Sequence, residues 1–307
     1  MSPDSIKHEI GQFYNEIGWQ MEAEGVYQNA RYEDLRPVSA DYIHKCHLRV
    51  KRHLAPTGKY LLDGGSGPVQ YDEYVSYSEG YQYRVCMDLS LVALQEARKR
   101  LGDKGVYINA DIANLPFASD VFDGIVSLHT IHHVPIEEKV GVYKGLHRTL
   151  KPGRSMVTVD GWSEVPLAKS MNFFMRVANR MRRWTGKEAA PMPDGTPASQ
   201  ANTVEKHAVH AEGVNPLRTE GENSLHTAPV GTFVLKTSAK WFHGVMSGVL
   251  PYEIRVWRSV SVKFLRSVIQ PEWAGRFWLK VLYRLEEWFP HYFGEKGQYP
   301  LIVISKK

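Results

Sequence analysis

Five apolar runs between Tyr60 and Asp160 each end in an acid or a histidine, and segments with helical spacing separate most of them. "KYLLD" runs to Asp63, "YRVCMD" to Asp88, "GVYINAD" to Asp111, "VFDGIVSLHT" to His129 and "RSMVTVD" to Asp160. Short runs of this kind read as strands, and the apolar centre "GIV" of the fourth suits a strand covered on both faces. Behind the N-cap candidate Ser90, Leu91, Leu94 and Ala97 recur at helical spacing until Gly102. Val140, Tyr143, Leu146 and Leu150 mark a second helical face, which "KPG" breaks. Such alternation over about a hundred residues predicts an α/β fold with a doubly wound, mostly parallel, Rossmann-like sheet. Ligands of these sheets sit outside the carboxyl ends of the strands, so the five terminal residues should border one crevice.

The flanks lack this rhythm. Residues 1–55 carry helical spacing and many aromatics, among them Phe13, Tyr14 and Trp19, and predict a helical lid. Residues 56–163 form the predicted core. Residues 164–240 hold a helix near 165–184 and then a long polar, turn-rich insert with His207, His210 and His226, read as solvated loop histidines rather than metal ligands. Residues 241–307 contain a strand around "YEIRVWRSVSV", a helix "PEWAGRFWLKVLYRLEEWF" and a closing strand "YPLIVISKK". The helix aligns Phe277, Val281, Leu285 and Trp288. That stripe is expected to pack as core, with a wall for an apolar acceptor or a membrane contact as alternatives. The chain of 307 residues suits one large α/β domain carrying insertions. Its two cysteines, Cys46 and Cys86, fit neither a disulfide scaffold nor a metal site. No signal-peptide pattern opens it and no apolar run is long enough to span a bilayer, so a cytoplasmic protein is expected. The net charge of +5 is spread along the chain rather than clustered, which disfavours a nucleic-acid partner.

The turn after the first strand, "LLDGGSGPVQYDEY", is rich in glycine but lacks the third glycine of a dinucleotide fingerprint. Asp63 beside it would repel a pyrophosphate and attract an ammonium or a sulfonium. S-adenosyl-L-methionine (SAM) carries both, and Gly65, Ser66 and Gly67 would let backbone approach it closely. Asp88 stands 21 residues beyond Gly67, where an acid can accept from ribose hydroxyls, and Asp111 can accept from an adenine amino group.

In order, "LLDGGSG", "VCMDLS", "NADIANLPFASDVFD", "IVSLHTIHHVP" and "LHRTLKPG" resemble class I SAM-dependent methyltransferases, in the branch of ubiquinone-biosynthesis and small-molecule enzymes. The resemblance covers about residues 60–160; the family usually has a third glycine where this chain has Val69. It implies a seven-stranded sheet with an antiparallel last strand, and an adenosine pocket lined by Leu89, Ile112, Leu128 and His129. It also implies an N-terminal lid in which Tyr14 reaches the cofactor site. "LHTIHHVP" resembles the acceptor site of sugar and natural-product O-methyltransferases. On that likeness His132 or His133 is the catalytic base and Asp160 its partner, acting on a small-molecule acceptor such as a sugar, glycolipid, quinone-like ring or secondary metabolite. An RNA-modifying methyltransferase and a non-catalytic SAM-binding regulator are the alternatives, with an NAD-dependent oxidoreductase behind them.

Overall fold

The computed structural model describes residues 3–19, 33–185 and 233–307. Seven strands form one sheet: β1 (Gly58–Gly64), β2 (Tyr81–Asp88), β3 (Gly105–Asn109), β4 (Gly124–Leu128), β5 (Ser155–Val159), β6 (Tyr252–Arg258) and β7 (Tyr299–Ser305). Their order is β3-β2-β1-β4-β5-β7-β6. All pairings are parallel except those of β7, which runs antiparallel to β5 and to β6. The order reverses between β1 and β4, and at such a switch point doubly wound sheets bind their ligands, outside the strands' carboxyl ends.

Alternate residues of the strands enter opposite cores, which is why their apolar runs are nearly continuous. Leu62, Ile125, Met156 and Ile302 face α5 (Ile136–Thr149) and α7 (Ala239–Met246), while Leu61, Val126, Val157 and Leu301 face the other way. Both local signals of α4 (Leu91–Leu101) hold. Ser90 caps it by accepting from the Ala93 amide at 3.1 Å, and Gly102 ends it at φ 54°.

The remaining helices are α1 (Pro3–Phe13), α2 (Ala40–Leu48), α3 (Asp72–Ser76), α6 (Ala168–Thr185), α8 (Val262–Val268), α9 (Gly275–Trp288) and α10 (Pro290–Lys296). A satellite core joins α2, α6, α8 and α9 through Tyr42, Met171, Leu265 and Leu279. One expectation fails here. Of the stripe Phe277, Val281, Leu285 and Trp288, only Val281 is half-buried; the other three are exposed, Trp288 at 71%, and α9 buries Leu279 and Glu286 instead. A buried glutamate on the inner face is tolerated because Tyr42, Ser259 and Arg49 all donate to it. His207, His210 and His226 lie outside the described residues.

Candidate functional site

β1 ends in Asp63 and Gly64, and the chain then turns through Gly65 and Gly67 at φ 72° and 54°. A Cβ on Gly65 would stand 2.2 Å from Thr130 Cγ2, so only glycine fits. The Gly65 and Ser66 amides donate to the Met87 carbonyl at 2.7 and 3.1 Å, tying the loop to β2. Val69 keeps the left-handed backbone of the glycine it replaces, at φ 54°, a strained setting for a β-branched residue. Its side chain is fully buried with Cys86, Leu94 and Ala97, which offsets that strain.

The electrostatic role expected of Asp63 is corrected. Its Oδ2 accepts from Arg84 Nη2 at 2.5 Å and Nε at 3.1 Å, and both side chains are buried. Arg84 lies opposite Leu61 in the parallel ladder, two residues before the partner of Asp63 and on the same face. The carboxylate is thus neutralised within the sheet and is not a free charge offered to a cation in the crevice.

Asp88 occupies the head of β2. Its Oδ2 accepts from the Gly67 amide and its Oδ1 from the Ser90 amide, each at 2.8 Å, so one carboxylate fixes both the loop and the start of α4. Burial raises its pKa to about 6, against the pull of those two N–H groups. Asp111 accepts from the Ala113 amide and from Asn114, and pairs with Lys7 of α1 at 2.8 Å. Ile112 is buried against Gly64, while Leu89 and Leu128 remain partly open beside the crevice.

The three histidines after β4 have three different environments. His129, at φ 55°, sends its ring away from the cofactor crevice to rest edge-on against Trp257 and Tyr299, at 5.0 and 5.8 Å. Its expected place in an adenosine pocket therefore applies to its backbone alone. His133 is fully engaged: Nδ1–H donates to the Phe233 carbonyl at 2.6 Å, which leaves Nε2 to accept from the Tyr14 hydroxyl at 2.8 Å. His132 Nδ1 lies 2.5 Å from Asp160 Oδ1 across the heads of β4 and β5. A carboxylate accepts there, so Nδ1 carries the proton and Nε2 keeps its lone pair. Burial pushes the His132 pKa well below its ordinary value, Lys236 and Lys139 add to that, and burial also raises Asp160. The pair borders a small cavity lined in part by Lys139, Tyr143, Trp241 and Lys236.

The N-terminal segment closes over these residues. Asn15 Oδ1 accepts from Ser90 Oγ at 2.8 Å, the Trp19 ring would stand 3.0 Å from a Cβ on Gly67, and Tyr14 stacks on Trp19 at 5.3 Å. Sequence reasoning did not single out Lys7, Asn15, Lys139 or Lys236. Lys7, Asn15 and Lys236 belong to segments distant in sequence from the motifs they meet, and Lys139, though only seven residues past His132, carries no local spacing that marks it.

The family described as "Methyltransferase domain" matches residues 62–158. The ubiquinone/menaquinone biosynthesis C-methyltransferase UbiE of Coxiella burnetii is 27% identical over 139 residues, 43% of this chain and 55% of that protein. Sterol methyltransferase-like 3 of Botryococcus braunii is 30% identical over 128 residues, 40% of this chain and 32% of that protein. The chain thus spans about half the length of the UbiE relatives it matches, and less of the sterol enzyme. Among solved structures, phosphoethanolamine N-methyltransferase 1 of Haemonchus contortus superposes with TM-score 0.54 at 11% identity, over 100% of this chain and 50% of that one. Geranyl diphosphate C-methyltransferase of Streptomyces coelicolor superposes with TM-score 0.51 at 15% identity, over 98% of both chains. These two likenesses establish the shared fold.

Proposed function

From a chain whose residues 62–158 are a class I SAM-dependent methyltransferase domain, we propose an enzyme that moves a methyl group from SAM to a small-molecule acceptor, with oxygen the favoured nucleophile. The residues at the crevice fit that cofactor. Gly65 and Gly67 form a tight left-handed turn at the head of β1, where a side chain would meet Thr130 or Trp19, and Asp88 and Asp111 place carboxylates at or just past successive strand ends. Asp88 would accept from the ribose hydroxyls, because each of its oxygens keeps a lone pair beyond the one used by Gly67 or Ser90. Asp111 would accept from the adenine amino group, with Ile112, Leu89 and Leu128 giving apolar contact to the ring. When bound, SAM supplies an electrophilic methyl group for in-line displacement.

The observation that carries the reading is the His132–Asp160 pair on the small cavity. With Nδ1 held by Asp160, Nε2 offers its lone pair to the proton of an acceptor hydroxyl, although burial and the nearby Lys236 and Lys139 oppose the charge it would gain. Asp160 orients the ring through Nδ1 and stabilises the positive charge that the proton brings. His133, held by Tyr14 and Phe233, acts as a strut for the N-terminal lid. A second reading, C-methylation, is favoured by the UbiE relatives, which are named C-methyltransferases; the same pair would then remove a proton from the methylated carbon.

The test is transfer of an isotopically labelled methyl group from SAM into a whole-cell extract, with the product identified by mass and NMR. A labelled methoxy compound supports the first reading and a labelled C-methyl compound the second. Label found only in RNA, or SAM binding without transfer, contradicts both.

A further inference from the structure

The large aromatic side chains exposed among the described residues all lie on α6, on α9 and around the α9–α10 corner. On α9 the buried side is Leu279 and Glu286. At 3.6 residues per turn, Phe277 and Trp288 fall on the opposite side, 57% and 71% exposed, with the half-buried Val281 between them and Leu285, 36% exposed, on the flank. The helix thus has two apolar sides and packs only one. α6 divides three ways: Met171, Ala178 and Arg182 point inward, Phe173, Val177 and Met181 form an exposed stripe, and Lys169, Arg176 and Arg183 occupy the next flank.

The charge beside these stripes is mostly positive, with Glu272, just before α9, an exposed acid near Arg182. α6 contains no acid. α9 carries Arg276, Lys280 and Arg284 on its exposed flank; Glu286 is buried and Glu287 is paired with Arg49 and Arg52. Both helices are also held to α8 between them. Met171 and Leu279 share a core with Leu265 of α8. Arg182 Nη2 donates to the Arg266 and Ser267 carbonyls at 3.1 and 2.5 Å, and its guanidinium lies 5.7 Å from the Trp273 ring just before α9.

Singly exposed apolar residues need no explanation, but clustered Trp and Phe rimmed by Arg and Lys do. A purely apolar protein partner would leave the cationic rims unmatched. An anionic bilayer matches both parts, with rings in the headgroup–acyl boundary and cations among the lipid phosphates. We propose that α6 and α9 form a face that seats the protein peripherally on an anionic membrane surface. None of its residues belongs to the crevice or to the His132–Asp160 pair, so it stands or falls independently of methyl transfer.

The experiment is co-sedimentation of the full chain with vesicles of phosphatidylcholine alone and of phosphatidylcholine mixed with phosphatidylglycerol. Binding is expected to the mixed vesicles, at least tenfold weaker to the neutral ones, and falling as salt rises. Phe277→Ser and Trp288→Ser should each lower partitioning about tenfold, with the unfolding midpoint and S-adenosylhomocysteine affinity unchanged. Absence of sedimentation with either vesicle would overturn the proposal, as would binding that both substitutions leave intact. So would a dimer that these substitutions convert to monomer in light scattering while vesicles stay unbound, a result that assigns the face to a second copy of the chain.

Discussion

Replacing Arg84 with methionine tests the sheet-internal pairing most sharply. Arg84 makes two bonds to Asp63 Oδ2 and one to the Tyr74 carbonyl, and the two side chains are 1% and 4% exposed. Methionine keeps most of the aliphatic stem, so cavity loss is small, while the carboxylate is left buried without its cation. Breaking a buried pair from one side costs about 3–5 kcal/mol, and that is the expected loss in urea unfolding followed by tryptophan fluorescence. Adding Asp63→Asn removes the orphaned charge and should recover at least about 2 kcal/mol, a coupling within the range for contacting residues. The double variant should also bind S-adenosylhomocysteine within a few-fold of the parent by calorimetry, since neither charge serves the cofactor. A single-variant loss below about 1 kcal/mol, or strictly additive losses, would refute the pairing. A hundredfold drop in affinity in a folded double variant would return Asp63 to the cofactor site.

Further outcomes follow from the site and from one buried acid. Asp88→Ala should weaken S-adenosylhomocysteine binding by about a hundredfold, the loss of two charge-assisted bonds, in calorimetry on a folded protein. His132→Gln should lower kcat by roughly 10²–10⁴ with SAM affinity nearly unchanged, whereas Tyr14→Phe should disturb SAM affinity more than kcat; equal activity of His132→Gln and parent would dismiss the base. Burial opposes ionisation of Glu33, but Arg258 and then His47 outweigh it and hold its pKa at about 2, from an ordinary 4.5. A lowered carboxyl pKa stabilises the fold above about 4.5 and loses that contribution as pH falls toward 2. Acid unfolding of the parent should therefore include a loss of order 3 kcal/mol over that window, and Glu33→Gln should flatten it.

The sheet was legible because each strand of the core is short, apolar and stopped by a polar residue, and because Ser90 and Gly102 mark α4 locally. The heads of β2, β4 and β5 could likewise be read, since Asp88, His132 and Asp160 sit beside the runs that position them. What escaped depended on register and on distant segments. Asp63 looked like a free charge because its partner sits on the neighbouring strand, and which residue of β2 faces it is fixed only when the ladder forms. Periodicity showed that α9 has an aromatic face but not which side meets the protein; Arg49 and Tyr42, more than 230 positions away, make the Glu286 side the buried one. His132 and His133 are adjacent and alike in sequence, and only Tyr14, 119 residues upstream, and Phe233, 100 residues downstream, distinguish them.

The most direct measurement is a crystal structure of the protein grown with S-adenosylhomocysteine. Density for that molecule is expected beside the Gly65–Gly67 turn, with its ribose on Asp88 and its adenine near Asp111 and Ile112. An empty crevice there, or one that takes a nicotinamide dinucleotide in preference, would contradict the assignment of SAM as the methyl donor.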